Sequence, residues 1–416
     1  MGQTKQQRLL KTAKPSRNTA SSLGTQGIEA FFLHCCAQMN MAAMAMKILP
    51  KGFRWVCPAA RCLAVLLASC SWALAQQAEP GTQASSDDAL TKLEKSPWLL
   101  APVFQSNPKL GTSVGALAGY LHYFDEKSRP SIFALMGQYT STDSTIAGGF
   151  AKTSFDEDRQ RLLAGLMYGY VKNDYADYLG TGVPLQSNGE LKSFIARYQY
   201  RVSGNWFLGV QGIYQNMAVT GETQFDDMFL NLVGVRPYKS GGAGLVAQYD
   251  SRDNENSPHH GWLLNLNNLA YRESLGGDNN FDIIRADVRY YMPHGDGNVL
   301  AFRNLNHFTS DAPTQAKAPV QLRGYKIGQY NGEYMSHIEA EERYRLGEKF
   351  TATLFAGIAC VYGGGRSCSS RENQFPAAGA GVQYILKPKE GIVLNLEYAQ
   401  GKDGNYGVYL KMGYAY

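Results

Sequence analysis

The stretch "YGVYLKMGYAY", residues 406–416, decides the fold because its side chains alternate between two different faces. One face is apolar and aromatic: Tyr406, Val408, Leu410, Met412, Tyr414 and Tyr416. The other is small or polar: Gly407, Tyr409, Lys411, Gly413 and Ala415. A period of two is the pattern of a β-strand. A tyrosine-rich apolar face opposite a polar one predicts a strand that lies between lipid and water.

The same alternation recurs along the chain. In "FIARYQYR", residues 194–201, four apolar or aromatic side chains oppose Arg197, Gln199 and Arg201. A soluble β-sandwich also alternates, but it would not normally carry charged rows opposite tyrosine-capped apolar rows. Sixteen such runs can be counted between residues 97 and 416. Long connections at 172–189, 218–240, 309–333 and 363–376 all fall at one end. The pattern predicts an all-β fold, a transmembrane antiparallel barrel of sixteen strands.

The N-terminal part reads as a leader. Basic residues precede the apolar run "CLAVLLASCSWALA", residues 62–75, which is too short to span a bilayer as a helix. It ends in a small-x-small site, so we predict a signal peptide cleaved between Ala75 and Gln76. An alternative is lipoprotein processing at Cys70 in "LASC". A signal peptide starting at Met1 would be too long. We therefore expect translation to start at Met41, Met44 or Met46, and residues 1–40 not to be translated.

The charge distribution does not imply a nucleic-acid partner, and none is expected. The formal charge of +5 arises in residues 1–75, which hold nine of the 40 Lys and Arg residues and one of the 35 acids. The rest of the chain is slightly acidic and has no basic patch interleaved with aromatic residues. Residues 76–96 are polar and predict a periplasmic linker, followed by the barrel at 97–416.

Three motifs suggest a family. "YDSRDNENSPHHGW", residues 249–262, contains Asp250, Arg252, Asp253, Gly261 and Trp262. "LRGY", residues 322–325, lies between the eleventh and twelfth runs, and "KMGYAY", residues 411–416, gives a closing-strand signal at Lys411, Gly413 and Tyr416. Together they resemble the BamA/TamA assembly barrels, also called bacterial surface antigens. The resemblance implies sixteen strands, an outer loop folded into the lumen and insertion of proteins or lipids into the outer membrane of Gram-negative bacteria.

In that family the loop arginine pairs inside the barrel with acids on strands twelve and thirteen. The resemblance therefore implies that Arg323 points inward and pairs with Glu341, with Gly324 permitting the bend and Tyr325 packing on the wall. Gly357 stands where the family usually has Asp. We therefore expect a weakened anchor in a wet lumen, with a coupling of roughly 1–2 kcal/mol. Glu339 and Glu397 are the alternative partners.

The seam between the first and last strands is expected to be weak. Pro97 and Pro102 lie in the first run, and proline gives a strand no N–H donor. The alternative is that these prolines only mark the start of the strand. Residues 76–96 are too short for a POTRA domain, so we also expect a member of the family without one.

Other motifs carry less. Cys360 and Cys368 are the two cysteines after residue 75, and in an exported protein they predict a disulfide. "GTSVG", residues 111–115, matches a nucleophile elbow but opens a strand without a following helix, so no enzymatic activity is expected. "GAG", residues 379–381, lacks a third glycine and is expected to make room in the lumen. No cofactor or metal site is expected.

The sequence predicts a role in outer-membrane biogenesis, with lipids and client outer-membrane proteins or accessory proteins as partners. The alternatives are a passive or gated pore and a structural surface antigen.

Overall fold

The computed structural model describes residues 96–107, 111–175 and 181–412. The predicted leader with Ala75, Gln76 and Cys70 lies outside these residues, as do nearly all of the predicted linker and the motif residues Gly413 and Tyr416. Among the described residues, no helix has the length and apolar character needed to cross a membrane.

Alternating sequence runs become strands of one closed antiparallel barrel, and the predicted sixteen strands are confirmed. The described elements, in chain order, are β1 Trp98–Asn107, β2 Gly111–His122, β3 Ser131–Thr140, β4 Thr145–Phe155, β5 Gln160–Tyr175, β6 Leu185–Ser203, β7 Trp206–Gly221, helix α1 Gln224–Leu232, β8 Tyr238–Asp250, β9 Gly261–Tyr271, β10 Phe281–His294, β11 Asn298–Ser310, β12 Ala318–Pro319, β13 Asn331–Gly332, β14 Tyr334–Arg345, β15 Phe350–Tyr362, β16 Gln374–Lys387, β17 Ile392–Gly401 and β18 Tyr406–Met412. Short 3-10 helices cover Glu273–Leu275, Thr314–Ala316 and Arg371–Asn373.

The short strands β12 and β13 pair only with each other, inside the connection between β11 and β14. Each remaining strand pairs with its neighbours in chain order, and β1 pairs with β18 to close the barrel. "GTSVG" lies at the start of β2, within the strand rather than on a strand-to-helix turn.

The two faces differ as the alternation predicts. Outward side chains are large and apolar, and Leu100, Leu166 and Leu354 are between 64% and 75% exposed. Inward positions carry buried polar side chains such as Gln199, His337 and Glu397. An exposed apolar band around polar inward positions is the reverse of a soluble protein, and it suits a lipid environment.

Aromatic pairs mark both edges of the apolar band. At the end of the barrel with the short turns, Trp206 packs against Tyr249 with ring centroids 5.2 Å apart, and Phe350 packs against Tyr384 at 5.2 Å. At the end with the long loops, Tyr334 packs against Tyr362 at 5.4 Å. Aromatic girdles at both interfaces are typical of transmembrane barrels.

Candidate functional site

The connection between β11 and β14, residues 311–333, folds into the lumen and is called the plug below. The paired strands β12 and β13 bring the two ends of the plug together at its base. The segment between the two strands, the plug tip, lies against the inner wall of the barrel. The apolar cluster that holds it comprises Leu305, Ala318, Val320, Leu322, Tyr325, Tyr330, Met335, Ala359, Val361, Phe375 and Ala377. Burial of these side chains is a non-directional force that docks the plug on β11 and β14 to β16.

Gly324 and Tyr325 fix the bend of the plug tip. Gly324 has a φ of +91°, and a Cβ there would lie 3.1 Å from the backbone nitrogen of Gly401, so glycine is needed for conformation and space. Its N–H donates to the Tyr409 hydroxyl of β18 at 3.2 Å. The Tyr325 hydroxyl donates to the Pro376 carbonyl at 2.5 Å and accepts from the Lys402 N–H at 2.9 Å. Both residues therefore join the plug to the wall.

Arg323 lies among three carboxylates, an arrangement called the plug lock below. Its Nη1 is 2.7 Å from Glu341 Oε2 and 3.4 Å from Glu397 Oε1, and its Nη2 contacts Glu339. The guanidinium also stacks on Phe355, 3.4 Å from the ring centroid. The structure thus places Arg323 beside Glu341, and it adds both alternative partners.

Small residues on the inner wall make this convergence possible. Gly357 pairs directly with Glu339 across β14 and β15, and a Cβ on Gly357 would meet Glu339 Cβ and Leu322 Cδ1 at 3.1 Å. Gly379 leaves the space that the Phe355 ring occupies, since its Cβ would lie 2.3 Å from that ring. A side chain at position 357 would be crowded, and the neighbouring strand supplies an acid, Glu339, at the paired position.

One expectation about the plug lock is wrong. The site is drier than a wet lumen implies, since the Arg323 side chain is only 8% exposed and that of Glu341 is fully buried. Glu339 and Glu397 join Glu341 around the guanidinium, although the acid expected at position 357 is missing, and the strength of the anchor stays a prediction. Low solvent access strengthens electrostatic attraction and makes an unpaired charge costly.

A second charged cluster lies at the short-turn end, and in it a carboxylate is surrounded by guanidinium groups. Asp250, at the end of β8, is fully buried and accepts from Arg129 at 2.8 Å, Arg161 at 3.0 Å and Arg252 at 2.8 Å. We call this the turn lock. Asp158, in the turn between β4 and β5, lies beside it and pairs with Arg161 at 2.7 Å and with Arg201.

The motif at 249–262 builds the turn that this lock holds. Asp253 accepts from the N–H groups of His259 and His260 at 2.9 and 3.2 Å, which closes the turn. Gly261 adopts a φ of +107°, where a Cβ would lie 2.4 Å from the Ser251 carbonyl oxygen. Trp262 faces outward and stacks on Tyr290 at 4.2 Å. The motif therefore combines an inward charge, a turn cap and an aromatic anchor in one segment.

The turn, residues 251–260, reaches across the lumen. Lys152 of β4 pairs with Glu255 at 2.7 Å, and Asn256 donates to the Glu390 carbonyl at 3.0 Å. Burial opposes ionisation of Glu255, but the attraction of Lys152, Arg129 and Arg252 outweighs it and lowers the pKa of Glu255 to about 2. Burial also opposes ionisation of Asp253, but its hydrogen bonds from His259 and His260 hold the pKa of Asp253 well below its usual range.

A chain of contacts connects the two locks. Arg343 Nε donates to Glu341 Oε1 at 3.1 Å, and Arg343 Nη1 donates to the Pro258 carbonyl at 2.7 Å. Glu341 belongs to the plug lock and Pro258 to the turn. One buried arginine on β14 therefore contacts both the plug lock and the turn.

Beside the plug, Cys360 of β15 and Cys368 of the following loop are joined by a disulfide with a Cα–Cα distance of 5.7 Å. In that loop Arg366 donates to the Asn331 carbonyl of the plug at 2.9 Å. The disulfide thus braces a loop that covers the base of the plug.

Sequence reasoning did not assign roles to Arg129, Asp158 or Arg161. The signal was present in part, because Arg197, Gln199 and Arg201 were placed on one polar face. The alternation of side chains identifies the inward face of a strand, but it does not give the depth in the lumen at which side chains from distant strands meet.

The comparisons with known proteins agree with this geometry. A model of the Omp85 superfamily domain matches residues 129–414. The chain belongs to the Omp85 superfamily. It is an integral outer-membrane protein, and the predicted resemblance to BamA-type barrels is confirmed. By the loop-length rule, the long-loop end of this Omp85 barrel faces outward and the short-turn end faces the periplasm.

Solved structures show the same fold. BamA from Haemophilus ducreyi lacking POTRA domains 1–3 is 13% identical, with 77% of this chain and 70% of that chain covered and a TM-score of 0.50. CdiB from Escherichia coli is 11% identical, with 77% and 63% covered and a TM-score of 0.52. At such identities the likeness supports the barrel architecture alone. No curated protein matches the chain.

Proposed function

We propose that this Omp85 barrel inserts proteins or lipids into the outer membrane by opening between β1 and β18. The observation that carries the proposal is the short ladder at this seam. Over the described residues, β1 and β18 share three register pairs, from Phe104↔Leu410 to Ser106↔Val408. By comparison, β1 and β2 share ten pairs and β17 and β18 share seven.

The composition of β1 explains why the ladder is short. Continuing the register from Phe104↔Leu410 would bring Pro102 opposite Met412. Proline has no N–H and cannot donate to a neighbouring strand. Over the described residues few backbone hydrogen bonds hold the seam, and we expect its opening to require less free energy than the opening of the longer ladders on either side.

The plug contacts the seam and can control its opening. Gly324 of the plug donates to Tyr409, and Tyr409 lies opposite Gln105 in the seam register. The side chains of Phe355, Ala399 and Tyr409 form a buried cluster beside the plug lock. A client strand that pairs with the free edge of β1 or β18 would use β-augmentation, in which main-chain hydrogen bonds supply the affinity.

The alternative function is a gated pore. The plug and the turn both lie inside the lumen and are held there by the two locks, which favours action at the barrel wall over passage through it. The clients are proposed to be outer-membrane proteins, and the partners also include the lipids of the outer membrane.

A cross-link across the seam tests the proposal. Phe104→Cys with Leu410→Cys places two thiols at directly opposed, outward positions. The oxidised double variant is expected not to restore outer-membrane composition in cells depleted of the protein, whereas the reduced form restores it. Quantitative proteomics and lipid analysis of outer-membrane fractions provide the measurement.

The matched control shares one position. Leu396→Cys with Leu410→Cys cross-links β17 to β18, a ladder that the proposal keeps closed. It is expected to restore composition whether oxidised or reduced. Full restoration by the oxidised seam variant would overturn the proposal.

A further inference from the structure

A cavity of about 470 Å³ lies in the lumen on the periplasmic side, between the turn at 251–260 and the wall. Eight cationic side chains and two carboxylates line it. The cations are Arg129, Lys152, Arg161, Arg197, Arg252, Arg285, Arg289 and Arg303, and the carboxylates are Glu255 and Asp287. A concave, low-dielectric site with one dominant sign of charge concentrates ions of the opposite sign.

Most of these cations already have a carboxylate. Each arginine of the turn lock forms an ion pair with Asp250, and Asp287 accepts from Arg289 at 2.7 Å and Arg303 at 2.9 Å. Lys152 has Glu255. Their charges are therefore used in holding the wall and the turn together.

Arg197 and Arg285 differ from the others. Arg197 donates to the side-chain oxygen of Gln211 at 3.0 and 2.6 Å, and Arg285 donates to that of Gln321 at 2.9 Å. Among the described residues neither guanidinium forms an ion pair, although Asp287 lines the same cavity two residues from Arg285, and the two positive charges repel each other. Two partly buried guanidiniums that face one cavity, neither in direct contact with a carboxylate, favour an external anion between them.

We propose that this cavity binds a phosphate dianion, free or as a small phosphomonoester, between Arg197 and Arg285. The planar guanidinium fork matches phosphate oxygens with two parallel hydrogen bonds, and a dianion balances both charges. The volume lies within the range of small-ligand sites. Because Arg285 also holds Gln321 of the plug, the bound anion would lie next to the plug.

Isothermal titration of the purified barrel in phosphate-free detergent buffer tests the site with inorganic phosphate. Wild-type protein is expected to bind one phosphate saturably. Arg197→Gln and Arg285→Gln are each expected to weaken binding at least tenfold, and the double variant to abolish it. Arg159→Gln, an exposed arginine on a turn at the same end, is expected to change the affinity less than twofold.

A second measurement needs no variant. Phenylglyoxal modifies arginines, and phosphate is expected to protect Arg197 and Arg285 of the wild-type protein, as mapped by mass spectrometry.

Titration with glycerol 3-phosphate distinguishes the two sources of the anion. Binding as tight as inorganic phosphate assigns the site to phosphorylated small molecules, and much weaker binding assigns it to the free ion. The proposal would be overturned if wild-type protein bound no phosphate saturably, or if the Arg197→Gln and Arg285→Gln variants bound phosphate as tightly as wild type. It would also be overturned if phosphate did not protect Arg197 and Arg285 from phenylglyoxal.

Discussion

The plug lock and the turn lock are opposite in charge and alike in logic. In the plug lock one guanidinium, Arg323, is surrounded by Glu339, Glu341 and Glu397. In the turn lock one carboxylate, Asp250, is surrounded by Arg129, Arg161 and Arg252. Each cluster uses one central charge to gather groups from separate strands and a connecting segment. Each cluster thus holds a connecting segment inside the lumen, and the loss of either centre would leave three like charges together.

The two locks differ in how much support surrounds the centre. Asp158 gives Arg161 a second carboxylate at 2.7 Å, so part of the turn lock survives without Asp250. In the plug lock Arg343 contacts Glu341 at 3.1 Å, while Glu339 and Glu397 depend mainly on Arg323. We therefore expect the plug lock to be the more sensitive of the two.

The largest effect is expected from Arg323→Ala, which leaves three buried carboxylates around an empty space. Removing one partner of a buried ion pair costs about 3–5 kcal/mol, and the upper end applies here. The plug should be released without loss of the barrel, because strand pairing does not involve Arg323. Limited proteolysis within 311–333, with heat-modifiable gel migration as the folding check, measures the effect.

The three acids provide the control for that experiment. Glu339→Gln, Glu341→Gln and Glu397→Gln should each release the plug less than Arg323→Ala, because two carboxylates remain in every case. A single glutamate whose replacement equals the arginine variant would show a simple pair instead of a three-carboxylate lock.

Asp250→Asn is expected to have the next largest effect, about 3 kcal/mol, on the docking of the turn at 251–260. The amide keeps the shape of the side chain but removes its negative charge from three guanidiniums. Hydrogen exchange of the turn should rise while that of the plug changes less. Equal exchange in Asp250→Asn and wild type would mean that Asp158 alone holds the arginines.

The pattern of the sequence predicted the barrel well because lipid and water impose a period of two on every strand. The alternation along the strand also placed Glu341 on the inner face, and the family resemblance implied that Arg323 points inward beside it. Glu339 and Glu397 were alternative partners, but the alternation could not show that Glu397 joins Glu341 at the same guanidinium, since β15 and β16 separate β17 from β14. Only the register and the glycines at 357 and 379 bring Glu397 within reach of Arg323.

The turn lock was not predicted from the sequence, because its contacts also depend on the register between distant strands. Arg129, Arg161 and Asp250 are far apart in sequence, and nothing in their local runs sets the height at which they meet. The motif at 249–262 indicated that the segment matters. Its role as an inward turn depends on contacts with β4, β5 and the turn after β16 that sequence spacing does not encode.

Acid should release the turn before it releases the barrel. Since the pKa of Glu255 is lowered to about 2 by folding, its contribution is present above its usual pKa, near 4.5, and is lost as the pH falls toward 2. The low pKa of Asp253 acts in the same direction. A nitroxide at Ser257→Cys should be immobile at pH 6 and increasingly mobile below about pH 4.

Glu255→Gln is the control for the acid response. It should loosen the turn at neutral pH and respond less to acid, because Lys152 has already lost its carboxylate. A nitroxide equally immobile at pH 2 and pH 6 would contradict a role for these carboxylates in docking.

The smallest effect concerns the link between the locks through Arg343. Arg343→Lys keeps a positive charge for Glu341, but the single ammonium cannot also reach the Pro258 carbonyl in the same geometry. Arg323→Ala should increase the mobility of the turn less in the Arg343→Lys background than in wild type. The difference corresponds to a coupling free energy of roughly 0.5–2 kcal/mol between the two positions. Strictly additive effects of the two changes would mean that the locks act independently.

The central claim is that this Omp85 barrel works at its seam while its lumen stays closed by the two locks. Conductance of the purified wild-type protein in planar bilayers tests it most directly, with Arg323→Ala as the opened comparison. We predict that wild-type membranes remain quiet and that the variant shows discrete channel openings. Steady, large conductance from the wild-type protein would contradict the account and favour a pore.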